Sequence, residues 1–362
     1  MNKKILYLMH VDWGWIKQRP HFIAEKLDKK YDVKIFYMVS RHRKVMTDNK
    51  SSVDTFPIIT LPFKKIKLFY LLNLIIQRSL FYLIINLQRP EIIWITHPLM
   101  IDYIPRKYLS KYKIVYDCMD DILGFENSQE IKKLLERNER LLFKEAEIVF
   151  VSSEHLCGEI IKRGCDHSKT VIVRNGYNGE LISTYRDEKR NNKESFKIAY
   201  IGTISSWIDF DLILYSLNQL DNIEYHFYGP VDSKVPNHEK IWFHGSIKHS
   251  ELYETIKDCD CLIMPFKINN LILSVDPVKL NEYINFNKNI ITVFYPEIDR
   301  FRHFVHFYNN KEEYIEIVRK LQKDNTIIYS NENRENFLLE NNWDKRMKVI
   351  FNTLDNIQTE KE

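Results

Sequence analysis

Short runs of apolar residues alternate with amphipathic stretches along nearly the whole chain. In the first half, strand-like runs lie at 4–9, 33–39, 91–95, 113–117, 147–151 and 170–173, with helix-like stretches between them, for example at 18–29, 128–144 and 154–163. Apolar runs of this length are typical of strands buried on both faces of a parallel sheet. We therefore predict an α/β fold, with helices covering both faces of the sheet.

A polar, irregular segment at 178–195 interrupts the pattern, which restarts at Lys197–Ile201 and continues near 223–228, 241–243, 259–264 and 289–293. The sequence thus predicts two doubly wound, Rossmann-like domains at 1–177 and 196–340, joined by the linker at 178–195. A helix within 341–362 is expected to pack back on the first domain. Open parallel sheets bind ligands at the carboxyl ends of their strands, so we expect the function in a cleft between the two domains.

Composition excludes several classes of protein. A hydrophobic content of 44% excludes a disordered chain, and a net charge of only +4 gives no general signal for nucleic acid. No stretch is expected to reach the roughly 20 uncharged apolar residues that span a bilayer. The cysteines lack a paired zinc spacing and are predicted to be buried thiols in a cytoplasmic protein: Cys118, Cys157, Cys165, Cys259 and Cys261.

The segment Ser274–Ile284 carries the most chemical information. Asp276 suits the N-cap of a helix and Pro277 its first position, which would leave the first backbone N–H groups available to an anion. Lys279 falls in the first turn, where its charge opposes the helix dipole unless a phosphate is bound. Glu282 follows three residues later, on the same side of the helix. A plain capped helix with a surface Lys–Glu pair explains the same residues, and the segment alone leaves both interpretations open.

This segment resembles the nucleotide-binding motif of retaining glycosyltransferases of the GT-B fold, the large family-four type. It is most similar to the subgroup of teichuronic-acid, capsular and exopolysaccharide transferases, which read roughly Ser-Val-x-Pro-x-Lys-Leu-x-Glu-Tyr here. The resemblance implies that Glu282 holds the ribose of a nucleotide-sugar donor, with Lys279 and the helix start on its diphosphate. The family's first glutamate is replaced by Ser274 in this chain. The remaining donor-binding residues implied by this segment are Val275, Asp276 and Pro277.

Two segments of the first half extend the resemblance. Gly14 and Arg19 lie in a stretch similar to the family's first strand-to-helix loop, where Gly14 lets the backbone approach the diphosphate and Arg19 can pair with it. Asp117 and Asp120 end a predicted strand near the position where many relatives carry a histidine that touches the donor sugar, so they are the catalytic candidates. A simple turn with an exposed arginine, and carboxylates serving as caps, are the structural alternatives.

Two segments of the second half also match. Gly202 and Thr203 end the first strand of the second domain, where a close approach of the backbone to phosphate is expected. The basic pair that relatives carry soon afterwards is absent, and Lys267 is a further candidate for neutralising the diphosphate. His244, Gly245 and Ile247 belong to a loop that resembles the one lining the nucleobase.

The motif Asp209-Phe210-Asp211 has the spacing of metal-binding aspartates in the other main glycosyltransferase fold. We interpret Asp209 instead as a helix N-cap and Asp211 as a first-turn acid. We accordingly predict that the protein needs neither a metal nor another cofactor.

Residues 62–89 combine basic with aromatic and aliphatic side chains. Lys64, Lys65 and Lys67 precede a long apolar stretch, a composition that suits an anionic membrane surface. A buried helix with solvated ends is the alternative. A membrane contact would fit a lipid-linked acceptor at the inner face of the cytoplasmic membrane.

These observations together predict a glycosyltransferase that moves a sugar, with retention and from a uridine nucleotide as the resemblance suggests, to an oligosaccharide or lipid-linked surface glycan. A nucleotide-sugar epimerase of the same fold and a non-catalytic scaffold of a polysaccharide assembly complex remain alternatives. Donor turnover without acceptor would favour the epimerase, and absence of nucleotide binding the scaffold.

Overall fold

The structure is a computed structural model that describes residues 3–39, 53–61, 67–182, 195–248 and 251–357. The chain divides into two compact units: Met1–Arg174 with Arg346–Glu362, and Asn175–Lys345. Each unit is a parallel sheet with helices on its faces and has its own apolar core.

The first unit contains a seven-stranded sheet in the order β3-β2-β1-β4-β5-β6-β7. Its strands are β1 (Lys4–Met9), β2 (Asp32–Met38), β3 (Thr55–Ile58), β4 (Ile92–Ile95), β5 (Lys113–Cys118), β6 (Ala146–Val151) and β7 (Thr170–Ile172). Its helices are α1 (Arg19–Asp28), α2 (Lys67–Gln88), α3 (Arg106–Leu109), α4 (Gln129–Glu145) and α5 (Glu154–Lys162). All neighbouring strands run parallel, as the buried apolar runs predict.

The second unit contains a six-stranded parallel sheet in the order β10-β9-β8-β11-β12-β13. Its strands are β8 (Phe196–Ile201), β9 (Ile223–Tyr228), β10 (Ile241–Phe243), β11 (Cys261–Met264), β12 (Asn289–Val293) and β13 (His306–Tyr308). Its helices are α6 (Phe210–Gln219), α7 (Leu252–Ile256), α8 (Asn270–Leu273), α9 (Val278–Asn285), α10 (Lys311–Lys323) and α11 (Asn331–Glu340). Asp209 caps α6 by accepting a hydrogen bond from the N–H of Leu212, and Asp211 lies in the first turn, as interpreted from the sequence.

In each sheet the strand order reverses at one point, between β1 and β4 and between β8 and β11. Successive crossovers leave in opposite directions there, so the loops that follow the two strands separate and open a crevice. The residues just after β1, β4, β8 and β11 are therefore the best placed to form a binding site.

A last helix, α12 (Trp343–Asp355), enters the first unit from Arg346 onwards. The ammonium of Lys3 donates to the carbonyl of Leu354 at 2.7 Å, and the hydroxyl of Tyr31 donates to the carboxylate of Asp355 at 2.8 Å. Leu354 itself is fully buried, so the end of this helix completes the core of the first unit.

All five cysteines are buried free thiols. Leu68–Gln88 in α2 includes the charged Arg78, so the expectation that no stretch has about 20 uncharged apolar residues holds, but this helix is long and apolar enough to cross a membrane by length and composition. Only 22% of its most apolar window is buried inside the protein.

Candidate nucleotide-sugar site

The start of α9 lies in the second unit and differs from the expected cap. Pro277, not Asp276, is the N-cap residue, and its side chain makes no cap hydrogen bond. The Asp276 carboxylate is buried and accepts from the backbone N–H of Asn175 at 2.6 Å and from the guanidinium of Arg300 at 2.5 Å. Asp276 therefore fixes the loop rather than the helix. The N-cap residue of α9 is a proline and supplies no side-chain acceptor for the first turn, which favours an anion there.

Lys279 and Gly202 lie together. The side chain of Lys279 runs across the backbone of Gly202, so a Cβ added to Gly202 would overlap Cε and lie 2.8 Å from Nζ. The ammonium also lies 6.0 Å from the centroid of the Tyr200 ring. Two residues predicted separately, 77 positions apart, thus meet at the carboxyl end of β8, at the point where the strand order reverses.

Three glycines with positive φ form the adjoining edge of the sheet: Gly202 (138°), Gly229 (147°) and Gly245 (73°). The N–H of Gly202 donates to Tyr228 O and the N–H of Gly229 donates to Gly245 O, both at 2.8 Å. A Cβ on Gly229 would overlap the carbonyl oxygen of Gly202. The ends of β8, β9 and β10 are therefore bare backbone packed closely together. Because these two N–H groups are already engaged, they are not available to bind a phosphate, whereas the ammonium of Lys279 lies beside them.

His244 lies beside this edge on a stack of aromatic rings. Its ring stacks on Tyr228 with centroids 4.5 Å apart and planes 14° apart, and it hydrogen-bonds His226 at 3.0 Å. Burial lowers the pKa of both His226 and His244. Such a neutral, flat arrangement suits stacking with a nucleobase. Ile247 is half-buried and packs on the core of the same unit.

Glu282 and Ser274 have different surroundings. Glu282 is partly exposed one turn after Lys279, and its charge, after burial, raises the pKa of the Tyr177 hydroxyl. Ser274 is buried, and its hydroxyl donates to the carbonyl of Asn270 at 3.2 Å. The Val275 carbonyl accepts from the Tyr295 hydroxyl at 3.2 Å. Ser274 and Val275 thus stabilise the turn between α8 and α9, whereas the side chain of Glu282 remains partly exposed.

Thr203 and Lys267 lie close to the end of the strands they follow. The Thr203 carbonyl accepts from the hydroxyl of Tyr200 at 3.0 Å, which ties the loop after β8 to its own strand. Lys267 follows β11 and pairs with Asp211 at 3.4 Å. Lys267 is therefore partly neutralised by a carboxylate.

In the first unit, Arg19 and Asp117 form a buried ion pair. The Nε and Nη2 atoms of Arg19 donate to Asp117 Oδ1 at 2.9 and 2.8 Å, and Nη1 donates to Val173 O at 2.6 Å. Both side chains are almost fully buried, at 2% and 0% exposure. This corrects the expected roles in diphosphate binding and catalysis, since neither side chain is open to a ligand. Gly14 lies in a turn in which its N–H donates to the carboxylate of Asp12.

Asp120 remains the accessible carboxylate of the predicted catalytic pair. It follows the end of β5 and is half-buried. Burial raises its pKa to about 6; Arg19 opposes this shift, and the charges of Asp117 and Asp121 add to it. Asp120 therefore titrates within the range in which a carboxylate can accept a proton.

Two histidines that the sequence did not single out lie at the reversal point of the first sheet. His10 follows β1 and hydrogen-bonds the Thr96 hydroxyl at 2.8 Å, and its ring centroid lies 5.0 Å from that of His97, after β4. Burial lowers the pKa of His97 to about 4, and burial together with His97 lowers that of His10. Both rings are thus neutral at pH 7. The sequence signal for this pair is a histidine within two residues of the end of each of two buried apolar runs.

No model of a known protein family matches the chain, and no curated protein matches its sequence. Solved structures do match over essentially the full length. The apo form of the lipopolysaccharide outer core galactosyltransferase WaaB has 13% identity and a TM-score of 0.67, covering 97% of this chain and 99% of its own. Anabaena HepE in complex with UDP and glucose has 13% identity and a TM-score of 0.71, with coverages of 98% and 100%. Sucrose-phosphate synthase from Thermosynechococcus elongatus has 12% identity and a TM-score of 0.74, again with coverages of 98% and 100%.

This likeness, together with the two Rossmann-like sheets, identifies the fold as GT-B. Among these structures, WaaB is a galactosyltransferase.

Proposed function

We propose that the protein is a glycosyltransferase that transfers a sugar from a nucleotide-sugar donor to a surface-glycan acceptor. The observation that carries the proposal is the position of Lys279, whose ammonium lies over Gly202 and within the first turn of a helix without a side-chain cap. A cation at that place is unfavourable for the helix alone and favourable when an anion is bound. A diphosphate is an anion of suitable charge.

Within this proposal, glycosyl transfer develops positive charge on the sugar and negative charge on the departing diphosphate. Lys279 and the N–H groups at the start of α9 stabilise the leaving group. Glu282 accepts hydrogen bonds from the ribose hydroxyls, and His244 with Gly245 borders the base. Because Lys279 supplies the positive charge, we expect transfer to continue when divalent metals are chelated.

The first unit then provides the acceptor side. Asp120 replaces Asp117 as the candidate group near the acceptor hydroxyl, and the neutral rings of His10 and His97 can donate or accept hydrogen bonds to sugar hydroxyls. We propose a lipid-linked acceptor at the inner face of the cytoplasmic membrane. By the resemblance to family-four enzymes, the anomeric configuration is retained.

The donor is proposed to be a UDP-sugar. HepE, which shares the fold, was crystallised with UDP and with UDP-glucose. The packing of Tyr228 on His244 leaves the choice of base to be tested, since stacking favours no particular base.

The test is the thermal stability of the purified protein with UDP, GDP, TDP and their sugar conjugates. A ligand at about 100 times its dissociation constant should stabilise the folded state by about 2.7 kcal/mol. Stabilisation by uridine compounds alone, unchanged by a chelator, supports the proposal. A flat response to all compounds, with and without magnesium, would refute it and favour a non-catalytic scaffold.

A further inference from the structure

Helix α2 has its apolar side outward. Its exposed face carries nine large hydrophobic or aromatic side chains: Leu68, Leu71, Leu72, Ile75, Ile76, Leu80, Tyr82, Leu83 and Leu87. Their exposed fractions reach 61% at Ile75 and 81% at Leu87. A surface helix of a soluble protein ordinarily has the reverse arrangement, with its apolar stripe on the core.

Hydrogen bonds fix this orientation. Asn73 and Gln77 are buried on the inner face of α2. The Asn73 Oδ1 atom accepts from the N–H of Leu61, and the Gln77 amide donates to the carbonyl of Ile59, both at 2.7 Å. Rotating the helix to bury its leucines would break both bonds and expose the buried Phe81. The outward apolar face is therefore a stable property of the fold.

The topology shows how this face can meet a membrane. The window Leu68–Gln88 has a mean hydropathy of 1.8 and is long enough to cross a bilayer. However, β3 before it and β4 after it belong to the same parallel sheet of the first unit. A helix that crossed the bilayer would place these two strands on opposite sides. The helix can therefore only lie along the membrane surface, with its axis in the plane of the interface.

The charges around this face are positive. Residues 55–90 contain no acidic residue and five basic ones. Asp102, the buried carboxylate beside α2, is surrounded by Arg78, Arg106 and Arg137, which leaves that cluster with a net positive charge. Lys107 lies 4.3 Å above the ring of Tyr82, at the edge of the apolar face. Lys64, Lys65 and the side chain of Lys67 lie outside the described residues.

From these observations we infer that the outer face of α2 inserts into the interface of an anionic lipid membrane. The apolar side chains contact acyl chains while the basic rim contacts phosphate headgroups. A second copy of the chain is a poorer occupant, because a two-fold interface would bring two basic rims together. The inference deepens the proposed function, since its relevance to a lipid-linked acceptor rests on that function. The membrane contact itself needs no donor and no reaction.

Flotation of the full chain with lipid vesicles tests the inference. Wild type should bind vesicles of phosphatidylethanolamine containing about one third phosphatidylglycerol, and bind phosphatidylcholine vesicles at least about tenfold more weakly. Replacing Leu72, Ile75 and Leu83 together by serine should weaken binding to the anionic vesicles at least about tenfold. These side chains are exposed, so the variant is expected to fold.

The matched control replaces three apolar residues of similar exposure elsewhere, Ile131, Ile328 and Val349, by serine. It should float like wild type. Equal binding of the α2 variant and wild type would overturn the inference, as would wild type that fails to float. If the wild type does not float but is a dimer in light scattering, and the α2 variant is a monomer while the control variant stays dimeric, the occupant of this face is a second copy of the chain. UDP-dependent thermal stabilisation of the α2 variant should match wild type, so failure of the membrane contact and failure of the proposed donor site are distinguishable.

Discussion

The side chain of Lys279 occupies the space that a Cβ of residue 202 would need, because it runs across Gly202, the residue that directly follows β8. Gly202 is also in the left-handed region, with φ of 138°. The absence of a side chain at position 202 thus allows both this backbone conformation and the approach of the ammonium. The glycine and the lysine form one structural unit, which any test of the donor site should address together.

Gly202→Ala is expected to weaken binding of a nucleoside diphosphate at least about tenfold. The new methyl group would displace the Lys279 side chain and strain the backbone, which should also lower the free energy of unfolding by about 1–3 kcal/mol. Calorimetric titration and chemical denaturation measure the two effects. Gly158→Ala is the matched control, since Gly158 lies in α5 with no atom within 4 Å of an added Cβ. That change should leave binding intact and raise stability by about 0.5–1 kcal/mol.

Lys279→Met keeps the length and apolar stem of the side chain and removes its charge. Loss of a charged hydrogen bond to the diphosphate should weaken binding by about 1.5–3 kcal/mol, or roughly ten- to hundredfold. Without ligand, removing a cation from the first turn of α9 should stabilise the fold by about 0.3–1 kcal/mol. A variant that is more stable without ligand but binds the diphosphate more weakly indicates that the lysine serves binding and not the fold. Lys323→Met, on an exposed position of α10, should not affect binding. Equal diphosphate affinity of Lys279→Met and wild type would exclude the proposed role.

Glu282→Ala tests the contact with the ribose, because a glutamine amide oxygen could still accept the same hydrogen bond. If Glu282 accepts hydrogen bonds from the ribose hydroxyls, wild type should bind UDP more tightly than its 2′-deoxy analogue by about 1 kcal/mol or more. The variant should bind UDP more weakly and should bind UDP and its 2′-deoxy analogue equally well. The four dissociation constants form a double-mutant cycle that isolates the contact between residue 282 and the 2′-hydroxyl. A variant that discriminates as well as wild type would show that Glu282 does not touch the 2′-hydroxyl.

Much of the fold follows from the pattern of apolar runs, because strands buried on both faces require such runs. The strands that this pattern missed are β3 and β13, each at an edge of its sheet. An edge strand pairs on one side only and is partly exposed, so Thr55–Ile58 and His306–Tyr308 need no continuous apolar run. The start of α9 was predicted one residue too early, at Pro277 instead of Val278, because Asp276 was expected to be the N-cap. Whether Asp276 caps a helix or pairs with Arg300 depends on a distant residue.

The donor-site prediction rests on residues of one local motif and one strand end, and the structure brings Lys279 and Gly202 of that set together. Arg19 and Asp117 were misassigned because 98 positions separate them, and no local pattern reveals that their charges satisfy each other. The contact between His10 and Thr96 likewise arises only because β1 and β4 are neighbours at the point where the strand order reverses.

Asp120→Asn should change stability in a pH-dependent manner. The carboxyl group has a folded-state pKa of about 6, above its ordinary value of 3.8, so its charged form is disfavoured in the folded protein. The folded state holds the proton more tightly, and wild-type stability therefore falls as pH rises from about 4 to about 6. The asparagine variant should match wild type near pH 4 and exceed it at pH 8 by about 1 kcal/mol. This is less than the full shift implies, because the side chain is half exposed to screening solvent. Chemical denaturation of both proteins at pH 4 and pH 8 measures the stability difference between variant and wild type. The same stability difference at both pH values would contradict the prediction. Asp221→Asn, at an exposed position, is the control.

Asp117→Asn and Arg19→Met separate a structural ion pair from a ligand site. Removing one partner leaves the other charge buried and unpaired, so each single change should lower the free energy of unfolding by about 3–5 kcal/mol. The double variant should be less destabilised than the sum of the two, since it leaves no unpaired charge. In the wild type Arg19 also donates to Val173 O, and the double variant lacks that hydrogen bond, so part of the loss should remain. If the pair is structural, any single variant that remains folded at low temperature should bind UDP with wild-type affinity. A single variant that stays stable but loses UDP binding would return Arg19 to the diphosphate.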